Sequence, residues 1–403
     1  MKVWIVTNAY LPEKGGLVSY TRNIALQLLR EGKEVEIITS NLKNTSLPSY
    51  EEMEGVKVSR IDYSGVPKVL KPFSPLAYYY RTLKFIRKCD IKKDDVVISR
   101  FYTFALAVVK GKNVNKHIFV TPLIATKLQH IEAKETKYFF KKLYFYFILP
   151  QLALLDKLAI KHSPFVGVLS RSKQEEVASY YRLKRNDVFV IPPGVDMERF
   201  RVASTEEKNE LRSKLGYSAE DKIVICVSRL SSEKNLEIII HCINAITDKT
   251  IKLAFVGDGD CEKGMEELII QYKLQDQIKL WGARQNVEDY YRMADVFILP
   301  SKYEGFGHVY LEAMACGLPC IAARSNPPIT TTASGEIIVN DRLGVLVNYD
   351  SKEEIVSAID YCLNTAVENQ SYRRQFVQDN YSWRKHYNDV ERIFLNGTNK
   401  TKQ

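Results

Sequence analysis

The stretch VFILPSKYEGFGHVYLEAMACGLP, residues 296–319, contains a complete strand–loop–helix unit. Its first residues are apolar and end at a proline, which is typical of a buried strand. The residues that follow predict a helix from Gly307 to Cys316, because Gly317 can adopt the left-handed conformation that ends a helix. A short apolar strand followed closely by a helix is the repeating unit of α/β proteins.

The same unit recurs along the chain in two series. Strand-like runs occur at 3–7, 35–39, 96–99, 165–170, 223–228, 252–257, 278–282 and 296–300. Amphipathic runs such as 18–32 and 235–246 lie between them, and this alternation predicts parallel sheets with right-handed crossovers. A segment at 191–210 is rich in proline, glycine and charge and is predicted to be a linker. We therefore expect two Rossmann-like domains with a cleft between them.

The composition agrees with a two-domain globular protein. The chain has 403 residues, and this length is too great for one ordinary core. Its residues are 45% hydrophobic and 26% charged, as in a soluble globular protein. Its net charge of +10 favours an acidic partner, namely nucleotide phosphates, nucleic acid or an anionic membrane surface. Charge alone does not choose among these partners or exclude a merely solvated basic surface.

The lack of a recognisable signal peptide, together with the cysteine spacing, favours a cytoplasmic protein. The seven cysteines form no C-x-x-C pair, which is typical of free thiols in a reducing compartment. The first ten residues read as a strand rather than a signal peptide. The most apolar segment, 143–155, is interrupted by Pro150 and Gln151, so no membrane-spanning helix is expected.

Three loops that follow predicted strands carry residues suited to an anion. Gly15 and Gly16 precede a helix, so their backbone N–H groups can approach a phosphate. Arg229 and Lys234 lie five residues apart and suit a diphosphate. Gly257 opens a Gly-Asp-Gly-Asp turn that lets backbone come near a ligand. Each loop, taken alone, is also explained as an ordinary turn or a solvent-facing basic loop.

The fourth loop is the one that contains two glutamates. Glu304 precedes the predicted helix, and Glu312 lies on its second turn. The first N–H groups of a helix are unpaired and carry partial positive charge, which suits a diphosphate. A carboxylate beside them can accept hydrogen bonds from sugar hydroxyls, and a buried one requires a partner. The alternative for Glu312 is a carboxylate at the edge of the core that its neighbours cap.

Together these loops resemble one family. The motifs EGFGxVxLEAMACGxP at 304–319, SRLxxEKN at 228–235 and GGL at 15–17 are similar to those of retaining nucleotide-sugar glycosyltransferases of family 4 (group 1). The resemblance is most specific over 191–350 and weaker over 1–40. It implies the GT-B fold, in which two Rossmann-like domains have parallel sheets that face a central cleft.

The resemblance also implies how the chain is divided. Residues 1–190 would form the acceptor domain and 191–380 the nucleotide-sugar donor domain. The segment YSWRKHYNDVERIF at 381–394 resembles the terminal helix of the family, so residues from about 381 to 403 are expected to pack back on the first domain.

Specific roles follow from the matching positions. Arg229 and Lys234 would hold the donor diphosphate, Glu304 would contact the donor sugar, and these three are the expected catalytic residues. Glu312 would bind the ribose hydroxyls. The other expected donor-binding residues are Gly15, Gly16, Gly257, Arg284, Phe306, Gly307, His308 and Val309. Among these, Arg284 matches the segment that binds the base, and Gly16 would border the β-phosphate.

The implied mechanism needs neither a metal ion nor a cofactor beyond the nucleotide sugar. The two cations and the helix N-terminus would stabilise the charge that develops on the departing diphosphate. The sequence shows no D-x-D pair and no His/Cys cluster at a strand end. Retention would occur by front-face attack, in which the leaving phosphate takes the acceptor proton. A covalent intermediate on Glu304 is the rival.

Two departures from the family pattern are visible. Many members carry a histidine after a first-domain strand, and here Pro122 and Leu123 occupy that place. His117 and His130 flank the segment, and each is expected to be a core or surface histidine. The loop RSNPPITTTASGEII at 324–338 replaces a glycine-rich loop, although its Glu336 fits the later glutamate of the family.

The sequence indicates less about the acceptor than about the donor. Segments 67–88 and 134–149 interleave Lys and Arg with Tyr and Phe, which favours helices at an anionic membrane, with a core helix as the alternative. No recognition motif supports nucleic acid. We expect transfer of a hexose or N-acetylhexosamine from a UDP-sugar, or from GDP-mannose, to a lipid-linked saccharide in bacterial surface-polysaccharide synthesis, at the inner face of the cell membrane. A nucleotide-sugar isomerase and a catalytically silent binding protein remain the alternatives.

Overall fold

The chain folds into two compact α/β units. A computed structural model describes residues 2–13, 15–41, 46–63, 74–121, 124 and 139–397, with the side chains of 139–143 and 396–397 left aside. The first unit comprises Met1–Pro193 and Trp383–Gln403, and the second comprises Gly194–Ser382. Each unit has a largely parallel sheet, so the predicted fold class is confirmed.

The sheet of the first unit has eight described strands. They are β1 (Lys2–Val6), β2 (Glu34–Ser40), β3 (Tyr50–Met53), β4 (Val56–Ile61), β5 (Val96–Ser99), β6 (Lys116–Val120), β7 (Phe165–Val168) and β8 (Val188–Val190). Their order is β3-β4-β2-β1-β5-β6-β7-β8, and β3 alone among them runs antiparallel to its neighbour. Every residue of β5 is buried, because helices cover both faces of a parallel sheet.

Five helices occur among the described residues of the first unit that precede its last helix. They are α1 (Gly16–Arg30), α2 (Ser74–Lys88), α3 (Tyr102–Gly111), α4 (Phe139–His162) and α5 (Arg171–Tyr181). Pro150 interrupts the apolar run at 143–155 but does not end α4, which continues through this residue. The side-chain amide of Gln151 donates to the carbonyl oxygen of Phe147 at 2.8 Å, close to the backbone bond that the proline cannot make. No helix of the described residues is long and apolar enough to cross a membrane.

The second unit has a wholly parallel sheet. Its strands are β9 (Lys222–Val227), β10 (Ile251–Val256), β11 (Ile278–Leu280), β12 (Val296–Leu299), β13 (Cys320–Ala323) and β14 (Gly344–Val347). Their order is β11-β10-β9-β12-β13-β14. Because the order reverses beside β9, the loops after β9, β10 and β12 end at the edge where α/β proteins bind their ligands.

The helices of the second unit include one that the sequence did not predict. They are α6 (Thr205–Lys214), α7 (Glu237–Ala245), α8 (Glu262–Gln271), α9 (Val287–Met293), α10 (His308–Ala315), α11 (Ser334–Ile337), α12 (Lys352–Thr365) and α13 (Gln370–Asn380). The expected linker at 191–210 is therefore too long, since α6 begins inside it. The hydroxyl of Ser204 caps this helix by accepting the backbone N–H of Glu207 at 3.2 Å.

A last helix, α14 (Trp383–Gly397), belongs to the first unit and packs on α1. The hydroxyl of Tyr20 on α1 is 2.5 Å from His386 Nε2, and its ring meets the Trp383 ring edge-on at 5.2 Å. His386 Nδ1 lies 2.8 Å from the carbonyl oxygen of Pro192. These contacts are made by side chains that are almost wholly buried.

Two arginines on α13 hold the carboxyl end of α10. Arg373 is fully buried, and its guanidinium donates to four backbone carbonyls, among them that of Gly317 at 3.0 Å. Arg374 donates to the carbonyl of Ala315 at 2.9 Å. Cations at a helix C-terminus complement the helix dipole and satisfy its last carbonyls. The position of α10 is therefore fixed from its far end.

Candidate functional site

The loop that follows β9, residues 228–236, carries the two predicted cations and is called the cation loop. The Nζ atom of Lys234 lies 2.7 Å from Glu304 Oε2, and both side chains are mostly buried. The guanidinium of Arg229 is 59% exposed and donates to Glu233 Oε1 at 2.8 Å. All three expected catalytic residues therefore lie in the second unit, and two of them form an ion pair.

A residue that the sequence did not single out, Glu233, organises the cation loop. Its carboxylate accepts the Ser231 hydroxyl at 2.7 Å as well as Arg229, and its backbone carbonyl accepts the N–H of Lys302 at 2.8 Å. Burial raises the pKa of Glu233, but these side-chain hydrogen bonds outweigh it and leave the pKa below its ordinary value. The glutamate therefore stays charged and restrains the arginine.

Asn235 fixes the other end of the cation loop. Its backbone is left-handed, with φ 57° and ψ 42°, which asparagine tolerates better than most residues. Its side-chain nitrogen donates to the carbonyl of Tyr349 at 2.7 Å and lies 3.3 Å from that of Pro300. The loop is thus tied to the segments that follow β14 and β12.

The cation loop passes so close to residue 257 that only glycine fits there. The φ of Gly257, +143°, is one that glycine alone adopts readily, and a Cβ atom there would lie 1.8 Å from the carbonyl oxygen of Ser228. Gly259 is under the same constraint, with a Cβ 2.3 Å from the carbonyl oxygen of Leu230. The N–H of Leu230 donates to the carbonyl of Asp258 at 2.7 Å. The backbone of the turn after β10 therefore packs directly against the backbone of the cation loop.

The helix α10 begins beside Glu304. Gly307 caps it in the left-handed conformation, with φ 93°, and a Cβ there would lie 2.5 Å from the ring of Tyr310. The backbone N–H of Glu304 donates to the carbonyl of Thr331 at 3.0 Å, so the loop before the helix is held by the segment after β13. The predicted helix bounds are confirmed to within one residue, since Cys316 is the C-cap and Gly317 is left-handed.

Three predicted donor residues surround this helix start. Phe306 is buried, and its ring packs against those of His308 and Tyr381, at centroid distances of 5.8 and 6.0 Å. His308 and Val309 are the first two residues of α10 and are partly buried. Their backbone N–H groups belong to the first turn, where a helix presents its unpaired donors.

Glu312 has a neutral partner. The hydroxyl of Tyr291 on α9 donates to its Oε2 atom at 3.0 Å, and the tyrosine is fully buried. Burial raises the pKa of Glu312, whereas the hydrogen bond from Tyr291 and the charge of Arg199 oppose that rise. The partner that a buried carboxylate requires is therefore a phenol, 21 residues away along the chain.

The remaining predicted donor residues lie apart from this group. Arg284 is exposed in the loop after β11, with its guanidinium 5.8 Å from the ring of Trp281. Gly15 and Gly16 open α1 in the first unit. Gly15 has φ +128°, and a Cβ added at either glycine meets no atom within 4 Å, so the backbone is open to close approach there.

The histidine that the family pattern leads one to expect is not supplied by His117. This residue is buried in β6, and its Nε2 atom lies 2.9 Å from the Ser99 hydroxyl. Burial lowers the pKa of His117 to about 3, so it is a neutral core histidine. Pro122, Leu123 and His130 lie outside the described residues. Among residues that are described, no three His, Cys, Asp or Glu side chains are grouped to hold a metal ion.

Comparison with known families accounts for both units. The model of glycosyl transferases group 1 matches residues 207–383, and that of glycosyltransferase family 4 matches residues 14–199. An uncharacterized glycosyltransferase of Methanocaldococcus jannaschii is 27% identical over 401 residues, covering 95% of each chain. The alpha-monoglucosyldiacylglycerol synthase of Streptococcus pneumoniae is 25% identical and covers 84% of this chain and 74% of its own.

Solved structures agree on the fold. Sucrose-phosphate synthase from Thermosynechococcus elongatus superposes with a TM-score of 0.77 at 19% identity, covering 98% of this chain and 99% of its own. Anabaena HepE in complex with UDP and glucose gives 0.74 at 17% identity, with the same coverage. The structure thus has the two-domain GT-B fold. Residues 14–199 belong to glycosyltransferase family 4, and residues 207–383 belong to the glycosyl transferases group 1.

The close contact beneath the cation loop gives a stability prediction. Gly257→Ala is expected to lower the free energy of unfolding by about 2 kcal/mol, because its Cβ would push the Ser228 carbonyl out of place. It should also speed trypsin cleavage after Arg229, measured by mass spectrometry on the folded protein. Gly264→Ala is the matched control, since Gly264 lies within α8 and its added Cβ meets nothing closer than 3.9 Å. Equal cleavage rates in the two variants would contradict the role assigned to the turn.

Proposed function

We propose that this protein is a retaining, metal-independent glycosyltransferase that takes a hexose or N-acetylhexosamine from a UDP-sugar and gives it to a lipid-linked saccharide. The observation that carries the proposal is the convergence of Lys234, Glu304 and the start of α10 in the second unit. A cation and helix N–H groups beside a carboxylate fit a diphosphate joined to a sugar. The family membership of the chain supports transfer over isomerisation.

The cations would act on the leaving group. Negative charge builds on the diphosphate as the anomeric bond breaks, and Lys234 and Arg229 would stabilise it together with the first turn of α10. The two cations differ in exposure. Lys234 is mostly buried and paired with Glu304, whereas Arg229 is exposed and paired with Glu233. We assign Lys234 to the fixed part of the diphosphate seat and Arg229 to the part that adjusts.

The surroundings of Glu304 favour a role in binding rather than covalent catalysis. Its Oε2 atom is paired with Lys234, and its Oε1 atom accepts the N–H of Gly305 at 3.1 Å. A carboxylate that is paired and hydrogen-bonded is a weak nucleophile, because both oxygens already share their electron density. It remains a good acceptor for the sugar hydroxyls. Front-face attack, with the leaving phosphate taking the acceptor proton, is therefore the route that we propose for retention.

The choice of UDP rests on likeness rather than on a contact. HepE has been solved with UDP, with UDP-glucose and with UDP and glucose, and it shares the fold of this chain. A relative from Corynebacterium glutamicum, 29% identical over 206 residues, is named a GDP-mannose-dependent mannosyltransferase, so GDP-mannose is the second candidate. A melting-temperature screen against UDP, GDP and their sugars decides between them, because a ligand that binds the native state raises its stability.

The first prediction from this site concerns the two cations. Lys234→Ala and Arg229→Ala are each expected to lower turnover on the order of a hundredfold, because both stabilise charge that exists only in the transition state. Release of UDP from UDP-glucose measures this, and the melting temperature shows that each variant is folded. Lys222→Ala is the control, since Lys222 lies at the opposite end of β9 and is 51% exposed. Turnover near the wild-type rate in both cation variants would overturn the diphosphate assignment.

The second prediction concerns metal ions. Because Lys234, Arg229 and the start of α10 supply the positive charge, turnover should persist after exhaustive dialysis against EDTA. The rates to compare are those in EDTA alone and in EDTA followed by excess Mg²⁺ or Mn²⁺. Loss of activity in the chelator and its recovery on adding either metal would show that this assignment is wrong.

The lipid-linked acceptor is supported by an exposed aromatic and basic surface. Helices α2 and α4 pack against each other, and their described residues include exposed large apolar side chains. These are Tyr80, Tyr144, Tyr146, Phe147 and Leu154, with exposed fractions of 64%, 40%, 73%, 45% and 51%. On α2 they are accompanied by the exposed cations Lys84, Arg87 and Lys88. We name this set the α2–α4 surface.

The sequence left two alternatives for the aromatic segments, a helix at a membrane and a helix in the core, and α4 has residues that fit each. Phe145 and Ile148 are buried in the core, so part of the segment packs inward. Tyr146 and Phe147 are exposed, so the other face is available to a bilayer. Residues 67–73 and 134–138 lie outside the described part of the chain. The relative from Streptococcus pneumoniae, named for a glycolipid product, supports a lipid acceptor.

The third prediction is binding of the α2–α4 surface to anionic bilayers. Each exposed Lys or Arg near such a membrane contributes roughly 1 kcal/mol, and salt weakens the attraction. The triple variant Lys84→Glu, Arg87→Glu, Lys88→Glu should lose cosedimentation with phosphatidylglycerol vesicles yet still hydrolyse UDP-glucose. Lys222→Glu, Lys263→Glu, Lys273→Glu is the matched control, because it reverses three exposed charges of the second unit. If both triple variants bind vesicles equally, the α2–α4 surface is not the docking surface.

A further inference from the structure

Tyr291 is the residue whose placement the proposed chemistry leaves unexplained. It lies on α9, is fully buried, and its ring packs against those of Phe200 and Phe297 at centroid distances of 5.7 and 5.9 Å. Phenylalanine would fill this space equally well. A buried hydroxyl is costly unless it makes a hydrogen bond. The presence of tyrosine rather than phenylalanine at position 291 therefore has to be explained by a hydrogen bond of its hydroxyl.

The reason is the carboxylate of Glu312. The hydroxyl of Tyr291 donates to Oε2 at 3.0 Å, which occupies one of the two carboxylate oxygens. Burial raises the pKa of Tyr291 well above its ordinary value, and the nearby charge of Glu312 adds to this rise. The phenol therefore keeps its proton at any working pH and acts as the donor to this carboxylate. The hydrogen bond restrains the orientation of the Glu312 side chain.

We infer that Tyr291 is a positioning residue that aims the carboxylate of Glu312 at the ribose hydroxyls of the nucleotide donor. The inference rests on the proposed function, in which Glu312 reads the ribose. It adds that the strength and the pH dependence of this recognition are set by a residue that does not touch the nucleotide.

The pH dependence follows from the groups that face Glu312. Tyr291 and Arg199 favour its charged form, and Glu288 on α9 disfavours it. Arg199 and Glu288 are paired at 2.7 Å, so their effects partly cancel. Burial raises the pKa of the Cys316 thiol to about 12, which keeps this neighbour neutral. Removing the phenol hydroxyl therefore raises the pKa of Glu312 further, and protonation would weaken ribose binding at a higher pH than in the wild type.

Two ligands and two variants test the inference. Binding of UDP and of its analogue without the 2′ and 3′ hydroxyls is measured by calorimetry from pH 5 to 8. For Tyr291→Phe we expect roughly tenfold weaker UDP binding, the loss of a hydrogen bond to a charged group, and no change for the analogue. The acid-side fall in UDP affinity should begin at a higher pH. A merely structural role would weaken both ligands alike and leave the pH profile in place.

The control is Tyr181→Phe. Tyr181 on α5 of the first unit is also buried, and its hydroxyl donates to Asp156 Oδ2 at 2.6 Å, so its loss removes a similar hydrogen bond to a carboxylate without touching Glu312. UDP binding in this variant should follow the wild-type pH profile. Glu312→Gln separates the two levels of the inference. If Glu312→Gln binds UDP like the wild type, the ribose assignment fails and the positioning role with it. If it weakens UDP and Tyr291→Phe does not, only the positioning role is wrong.

Discussion

The site of the second unit depends on one close contact between backbones. The carbonyl of Ser228 lies where any side chain at position 257 would be, and the carbonyl of Leu230 does the same at position 259. Without a Cβ on either glycine, the turn after β10 can support the cation loop from below. The loop then needs only Glu233 and Asn235 to fix its two ends. The charged groups are thus carried by a backbone that cannot relax away from them.

This contact explains why charges can be held so near one another. Lys234 and Glu304 are separated by 70 residues, yet their side chains meet at 2.7 Å with little exposure. A pair of long exposed side chains would gain little from such a contact, because ordering them costs entropy and water screens the attraction. Here the cation loop and the start of α10 are both fixed in advance. Arg373 and Arg374 also help to fix α10, since they bind carbonyl oxygens at its carboxyl end.

The sequence predicted the parts of this arrangement that repeat or that depend on local conformation. The strands around the site are continuous apolar runs, and Gly307 and Gly317 mark the helix ends, so fold and helix bounds followed directly. The roles of Glu233 and Tyr291 did not, because each depends on a partner that tertiary structure supplies. The helix within the expected linker was missed because its surface is polar, although Ser204 followed three residues later by Glu207 is a capping pattern. Pro150 interrupts an apolar run without ending α4, because an exposed proline can remain within a helix.

In the proposed function, the two glutamates beside the start of α10 would bind two different kinds of hydroxyl. Glu304 meets a cation, and Glu312 meets a neutral phenol that cannot lose its proton. A carboxylate paired with a lysine would share that lysine with any phosphate that enters, so in the proposed function sugar recognition and leaving-group stabilisation would be coupled through Lys234. A carboxylate paired with a phenol is not coupled to the phosphate, and its charge depends on burial, on that hydrogen bond and on the opposing charges of Arg199 and Glu288. In the proposed function, the nucleotide end of the donor would therefore be read separately from the reacting end.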